Sequence, residues 1–185
     1  MVYFEKPGRE NTSACLEVVK QAIKESGYRH LIVATTGGDT GLLFSEAFKS
    51  SKINLVVVTH SAGFKEPNTF EMPDDIREKI KANGAGIYTG TMLTHSIETA
   101  FAAKFSGSYP TLIIAQSLRR FGEGPKVCCE IAMMATDAGL IPEEEEVLAV
   151  AGTGRGADTV MVIKSAASKR FLDLRVLEIL AKPRV

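Results

Sequence analysis

Leu31-Ile-Val-Ala-Thr-Thr-Gly-Gly-Asp-Thr-Gly41 is the stretch on which the fold of this chain turns, and Ile53-Asn-Leu-Val-Val-Val58 completes its meaning. Leu31 to Ala34 is apolar without alternation, the mark of a strand covered on both faces, as parallel strands beneath helices are. Thr35-Thr36-Gly37-Gly38 breaks the run. From Thr40 to Ser50 the apolar residues Leu43, Ala47 and Phe48 return at helical spacing, and Ile53 to Val58 is again apolar on both faces. Strand, glycine turn, helix and strand within about 30 residues make a βαβ unit.

Working outward, Asn11 to Ser26 reads as a helix with Leu16, Val19 and Ile23 on one face and Gly27 just past its end. A long breaker-rich loop follows Thr59-His60-Ser61 through Gly63, Pro67 and Pro73, a length typical of lids and binding loops. Beyond it come a helix from Asp74 to Asn83, a short strand at Ala85 to Tyr88 and a helix from Ser96 to Lys104. Pro110 to Arg120 and Pro125 to Ala138 read as two helices, each opened by proline and followed by glycine, although Thr111 to Ile114 is also compatible with a strand. Val147 to Ala151 and Thr159 to Lys164 are strands, and Leu174 to Lys182 is expected as a last strand at a sheet edge. The expected architecture is a single α/β domain over residues 1–185, three-layered, with a mostly parallel sheet.

Composition narrows the function. Lysine plus arginine equal aspartate plus glutamate at 22 each, so no global field draws nucleic acid or an anionic membrane. No apolar run reaches the roughly 20 residues that span a bilayer, and Met1 to Glu10 lacks the apolar core of a secretory signal. Cys15, Cys128 and Cys129 are an odd number with two adjacent, which suits a reducing compartment; the cytoplasm is expected. The scarcity of amides, with glutamine only at 21 and 116, follows a trend of heat-adapted proteins.

Ligands of open parallel sheets bind beyond the carboxyl ends of the strands. Three segments should meet there. In the first, Thr35, Thr36, Gly37, Gly38, Asp39, Thr40 and Gly41, glycine admits a close backbone approach, and the helix start presents free N–H groups and a positive dipole end to a phosphate. Asp39 competes for that field, either capping the helix or accepting bonds from sugar hydroxyls; a plain βα turn also needs glycine and a cap. The second, Gly152, Thr153, Gly154, Arg155, Gly156 and Asp158, puts a planar guanidinium between glycines, suited to phosphate or carboxylate, and is equally compatible with a hairpin-like surface turn. It lacks the spacing of a dinucleotide fingerprint. The third is Thr59, His60 and Ser61, with His60 the candidate acid or base. Thr89 and Thr91 bring hydroxyls on a fourth loop, ahead of His95, whereas His30 precedes its strand at the opposite end of the sheet. Cys128 and Cys129 point about 100° apart on a helix, which rules out a shared metal of the C-x-x-C kind; no metal site is expected.

The run Leu31 to Gly41, the run Asn54 to His60 and Leu148-Ala-Val-Ala-Gly-Thr-Gly-Arg155 occur in the order found in the C-terminal α/β domain of pyruvate kinase, which the chain resembles from about Asn11 to Lys182. More closely it is similar to small stand-alone archaeal proteins of that fold. The resemblance implies a phosphate loop at Thr35 to Thr40, with Arg155 on a second phosphate-facing loop and Thr59-His60 beside it. Where the family carries basic and serine residues this chain has Thr36, Gly37 and Asp39, which removes positive charge. No catalytic barrel is present, since that fold needs about 250 residues. The archaeal relatives imply flavin mononucleotide (FMN) as cofactor; the pyruvate kinase domain implies a sugar phosphate and a regulatory or sensor role. The partner expected is a small phosphorylated molecule. Oligomeric state stays open, with Pro110 to Gly139 offering apolar surface for a homo-oligomer.

Overall fold

The computed structural model describes residues 1–184. Seven strands form one sheet: β1 (Val2–Phe4), β2 (His30–Ala34), β3 (Asn54–Thr59), β4 (Gly86–Thr89), β5 (Glu146–Ala151), β6 (Thr159–Lys164) and β7 (Arg175–Pro183), in the order β1-β7-β6-β5-β2-β3-β4. β6 runs antiparallel to both of its neighbours, and every other pairing is parallel. The helices are α1 (Thr12–Ser26), α2 (Asp39–Phe48), α3 (Asp74–Ala82), α4 (Ile97–Phe105), α5 (Pro110–Leu118) and α6 (Glu123–Asp137).

Alternate strand residues divide the core in two. Leu31, Val33, Leu55, Val57, Leu148 and Val150 face α1, α2 and α3, packing on Val19, Phe44 and Ile80. Ile32, Val56, Val58, Val147, Ala149 and Met161 face the other way onto α6, through Cys128, Ile131, Ala132 and Ala135. Both faces being covered explains why β2, β3 and β5 read as unbroken apolar runs. The cysteines pack as small apolar residues in these layers: all three are free and buried, and burial pushes the thiol of Cys15 up to about 12 and that of Cys129 to about 11.

One expectation changes, two open alternatives are decided and one candidate surface narrows. Residues 175–183 lie inside the sheet, because β1 pairs Val2, Tyr3 and Phe4 with Ala181, Lys182 and Pro183 and takes the edge itself. A three-residue strand has no periodicity to read, so only pairing reveals it. Thr111 to Ile114 is helical, in α5, with Pro110 in its first turn. The segment 152–158 is a hairpin connection between antiparallel β5 and β6 and also a wall of the site below. Finally, α6 has little surface for self-association, with twelve of its fifteen residues buried; the exposed apolar side chains nearby are Ile97, Phe101 and Phe105 on α4 and Ile113 on α5.

Candidate functional site

Because β2, β3 and β5 are mutually parallel, the loops that follow them open at one end of the sheet. The chain runs outward from β2 to β3 and β4 and returns as β5 on the other side of β2, so a crevice forms at that switch in order. A cavity of about 570 Å³ occupies it, lined by all three loops together with the start of α6.

One wall is the entry to α2. Gly38 stands before the helix with φ +100°, and its carbonyl accepts the Leu42 N–H at 2.8 Å. The hydroxyl oxygen of Thr35 accepts the Gly41 N–H at 3.3 Å. Among the described residues the N–H groups of Thr36, Gly37, Gly38, Asp39 and Thr40 have no acceptor, and no side chain caps the helix. Those donors and the helix dipole point where an anion is favoured. Across the gap, Nη1 of Arg155 comes within 3.0 Å of where a Cβ on Gly37 would lie, so a side chain at 37 would press on the guanidinium. Arg9 and Thr12 close that end.

The second wall belongs to His60. Its Nδ1 is 2.5 Å from Oε2 of Glu71, a residue of the long loop after β3. The Lys65 ammonium lies 2.8 Å from Oε1 as an ion pair without hydrogen-bond alignment. Burial raises the Glu71 carboxyl, but contacts with Lys65 and His60 outweigh it and hold the group below the usual range. An ionised Glu71 accepts a hydrogen bond from the Nδ1–H of His60, which leaves Nε2 as the ring nitrogen not engaged by the carboxylate. Phe64 lies against His60 with centroids 4.2 Å apart and the rings tilted by 44°, and meets His95 edge-on at 5.9 Å.

The third wall is the start of α6. Lys126 and Glu130 are 1 % and 3 % exposed and bonded at 2.6 Å, and Oε1 of Glu130 accepts the N–H and the hydroxyl of Thr94 at 2.8 and 2.7 Å. Arg119 grips Glu123 with two nitrogens, at 2.5 and 3.3 Å. Burial raises the Glu130 carboxyl, yet the Lys126 charge and the Thr94 bonds prevail and lower it. For His95 burial is the main cause of a lowered value, with Lys126 acting the same way against Glu130.

The family described as pyruvate kinase, alpha/beta domain, matches residues 13–163. The chain belongs to that family. Among solved structures, pyruvate kinase from Cryptosporidium parvum is 16 % identical with TM-score 0.44, over 87 % of this chain and 24 % of that one. The same enzyme in complex with ADP gives 16 % and 0.44 over 88 % and 25 %. An O-ureido-L-serine synthase structure is 15 % identical with TM-score 0.34, covering 71 % of this chain and 48 % of its own. The chain thus spans about a quarter of the length of the pyruvate kinases it matches.

The span matched to the pyruvate kinase α/β domain includes every wall of the cavity except Arg9 and Thr12, and leaves β1 and β7 outside. Of the residues expected at the site, Thr35, Thr36, Gly37, Asp39, Thr40, Thr59, His60, Gly152, Gly154, Arg155 and Gly156 line the cavity. Others do different work. Gly38 and Gly41 are places of close packing, where a Cβ would meet Ile76 at 2.4 Å and Val57 at 2.8 Å respectively. Asp158 is 0 % exposed and turns inward, accepting the N–H of Gly8 and Thr153 and the Thr159 hydroxyl, so it fastens the loop that carries Arg155. Thr89 shares a hydrogen bond with Thr59 at 2.6 Å and receives one from Arg77. Ser61, Thr91 and Thr153 fall outside the lining. The α6 residues and His95 entered only with the structure. Their one sequence signal is Lys126 and Glu130 four apart among Cys128, Cys129 and Ile131, a charged pair where a helix is otherwise apolar.

Proposed function

We propose that this chain binds a small molecule through a phosphate group seated at the start of α2, with FMN as the ligand. The observation that carries the reading is the row of unpartnered N–H groups from Thr36 to Thr40 at the start of α2, with the Arg155 guanidinium lying against Gly37. The rest of the cavity supports a flat-bodied ligand: its volume of about 570 Å³ lies in the range of small-molecule sites, Phe64 and the two histidines present ring faces and edges, and Met92, Ile131 and Met134 add apolar surface. The Thr35, Thr36 and Thr40 hydroxyls suit a polyol chain. Bound FMN would supply electron transfer, while the protein supplies position and electrostatics; His60, with Nδ1 engaged by Glu71, is the side chain to test for proton transfer. The three buried free thiols are in keeping with a cytoplasmic setting.

Purified protein should be yellow, or should quench the fluorescence of added FMN at micromolar concentration. Arg155→Ala and Gly37→Val should each weaken capture by roughly tenfold or more, the scale of a charge-assisted bond to phosphate. Protein that stays colourless and ignores micromolar FMN rejects the flavin.

A second reading rests on Asp39, a carboxylate on the cavity wall for which an uncharged polyol is the natural partner. It makes the chain a regulatory or sensor module for a sugar phosphate. A panel of phosphorylated metabolites should then raise the melting temperature with concentration, since binding to the native state stabilises it. An unresponsive melting curve across the panel removes this reading.

A further inference from the structure

Resting on the phosphate reading above, we infer that the cavity selects ligands with one anionic end and an uncharged polar far end, and that Glu123 and Glu130 impose this selection. The two ends of the cavity carry different balances of charge. At the α2 end, Arg9 and Arg155 share the lining with one carboxylate, Asp39, while the buried Asp158 is taken up by the N–H groups of Gly8 and Thr153 and the Thr159 hydroxyl, and neither arginine has an ion-pair partner among the described residues. The unpartnered N–H groups and the helix dipole add to that surplus. This end wants an anion.

The α6 end is rich in cations and still has none to give. Arg119 is held by Glu123 through two nitrogens. Lys126 is bonded to Glu130 at 2.6 Å and lies 3.9 Å from Glu123. Two cations thus meet two carboxylates. His95, beside them, is kept towards its neutral form by burial and by the Lys126 charge. The Glu130 carboxylate is filled on both oxygens by Thr94 and Lys126, so it cannot swing aside to release the lysine. A second phosphate entering here would shed its water and find each positive charge already matched, an uncompensated burial that is costly. A carbonyl, amide or ring nitrogen would lose little and could use the free donors of Arg119 and Lys126. The carboxylates on α6 therefore act as a filter against doubly anionic ligands.

Isothermal titration of the purified chain tests this with FMN and two matched pairs: adenosine 5′-monophosphate against adenosine 3′,5′-bisphosphate, and fructose 6-phosphate against fructose 1,6-bisphosphate. Each bisphosphate should bind at least about tenfold more weakly than its monophosphate. Uptake of a monophosphate with no uptake of its own bisphosphate is the same selectivity at its extreme. Glu123→Gln, which frees Arg119 at a partly exposed position, should shift the bisphosphate-to-monophosphate affinity ratio by about tenfold toward the bisphosphate, as one added charge contact near a surface would. Glu130→Gln should do the same where it folds, and Glu123→Gln decides the matter where it does not. Bisphosphates binding as tightly as monophosphates, or an unchanged ratio in Glu123→Gln, would overturn the filter and leave the phosphate site standing. If none of the five compounds binds, the phosphate reading itself fails and the filter with it.

Discussion

At Gly38 the backbone adopts φ +100°, and a Cβ would sit 2.4 Å from Ile76 Cγ2 and 3.1 Å from Met72. Its neighbour Gly37 has no left-handed φ, and a Cβ there would meet only the flexible end of Arg155, at 3.0 Å. Two adjacent glycines, alike in sequence, therefore serve different ends. Gly38→Ala should cost about 2 to 4 kcal/mol from strain and overlap with the half-buried Ile76 of α3 and the buried Met72 ahead of it. Gly37→Ala should change stability by less than about 0.5 kcal/mol while displacing Arg155 and weakening phosphate capture. Urea denaturation of the two variants measures the first quantity and ligand titration the second. A Gly38→Ala protein as stable as the parent would contradict the packing described at the start of α2.

Among the elements, α6 and α4 mark the two extremes of burial. α6 packs along the sheet, burying Cys128, Ile131, Ala132 and Ala135 against β2, β5 and β6. None of the nine residues of α4 is buried, and Ile97 and Phe105 are 73 % and 67 % exposed. Local stability follows buried contact, so amide exchange in α6 should need global opening while α4 exchanges through local opening at much lower free energy. Hydrogen exchange read by mass spectrometry checks this; equal protection of the two helices would mean that α4 is covered by something further. The difference was not legible in the sequence, where both segments read simply as helices. Periodicity reports that a helix has an apolar face, not what the face meets.

Over the whole molecule, Glu71, Glu130 and His95 contribute to the acid side of the stability curve. Glu71 and Glu130 have folded values below the ordinary 4.5, so their contribution is present above that pH and is lost as pH falls through the lower folded values. His95 is lowered from 6.5, so the unfolded chain takes up its proton first, and stability begins to fall below pH 6.5 until the folded histidine protonates as well. Urea midpoints measured between about pH 3 and 8 should thus decline in two stages, and His95→Gln should abolish the upper one. A midpoint flat from pH 7 to pH 5 in the parent would show that His95 is not held neutral by its surroundings.

Local pattern alone determined the βαβ opening, the parallel character of β2, β3 and β5, and the two loops whose glycines and Arg155 face each other, because unbroken apolar runs and glycine turns are properties of neighbouring residues. Tertiary structure alone decided that β1 takes the sheet edge, that Asp158 turns inward, and that Lys126, Glu130, Arg119 and His95 complete the cavity. Each of those depends on pairing between residues far apart in the chain. A buried ion pair or a three-residue strand is defined by its distant partner and leaves almost no trace in the residues beside it.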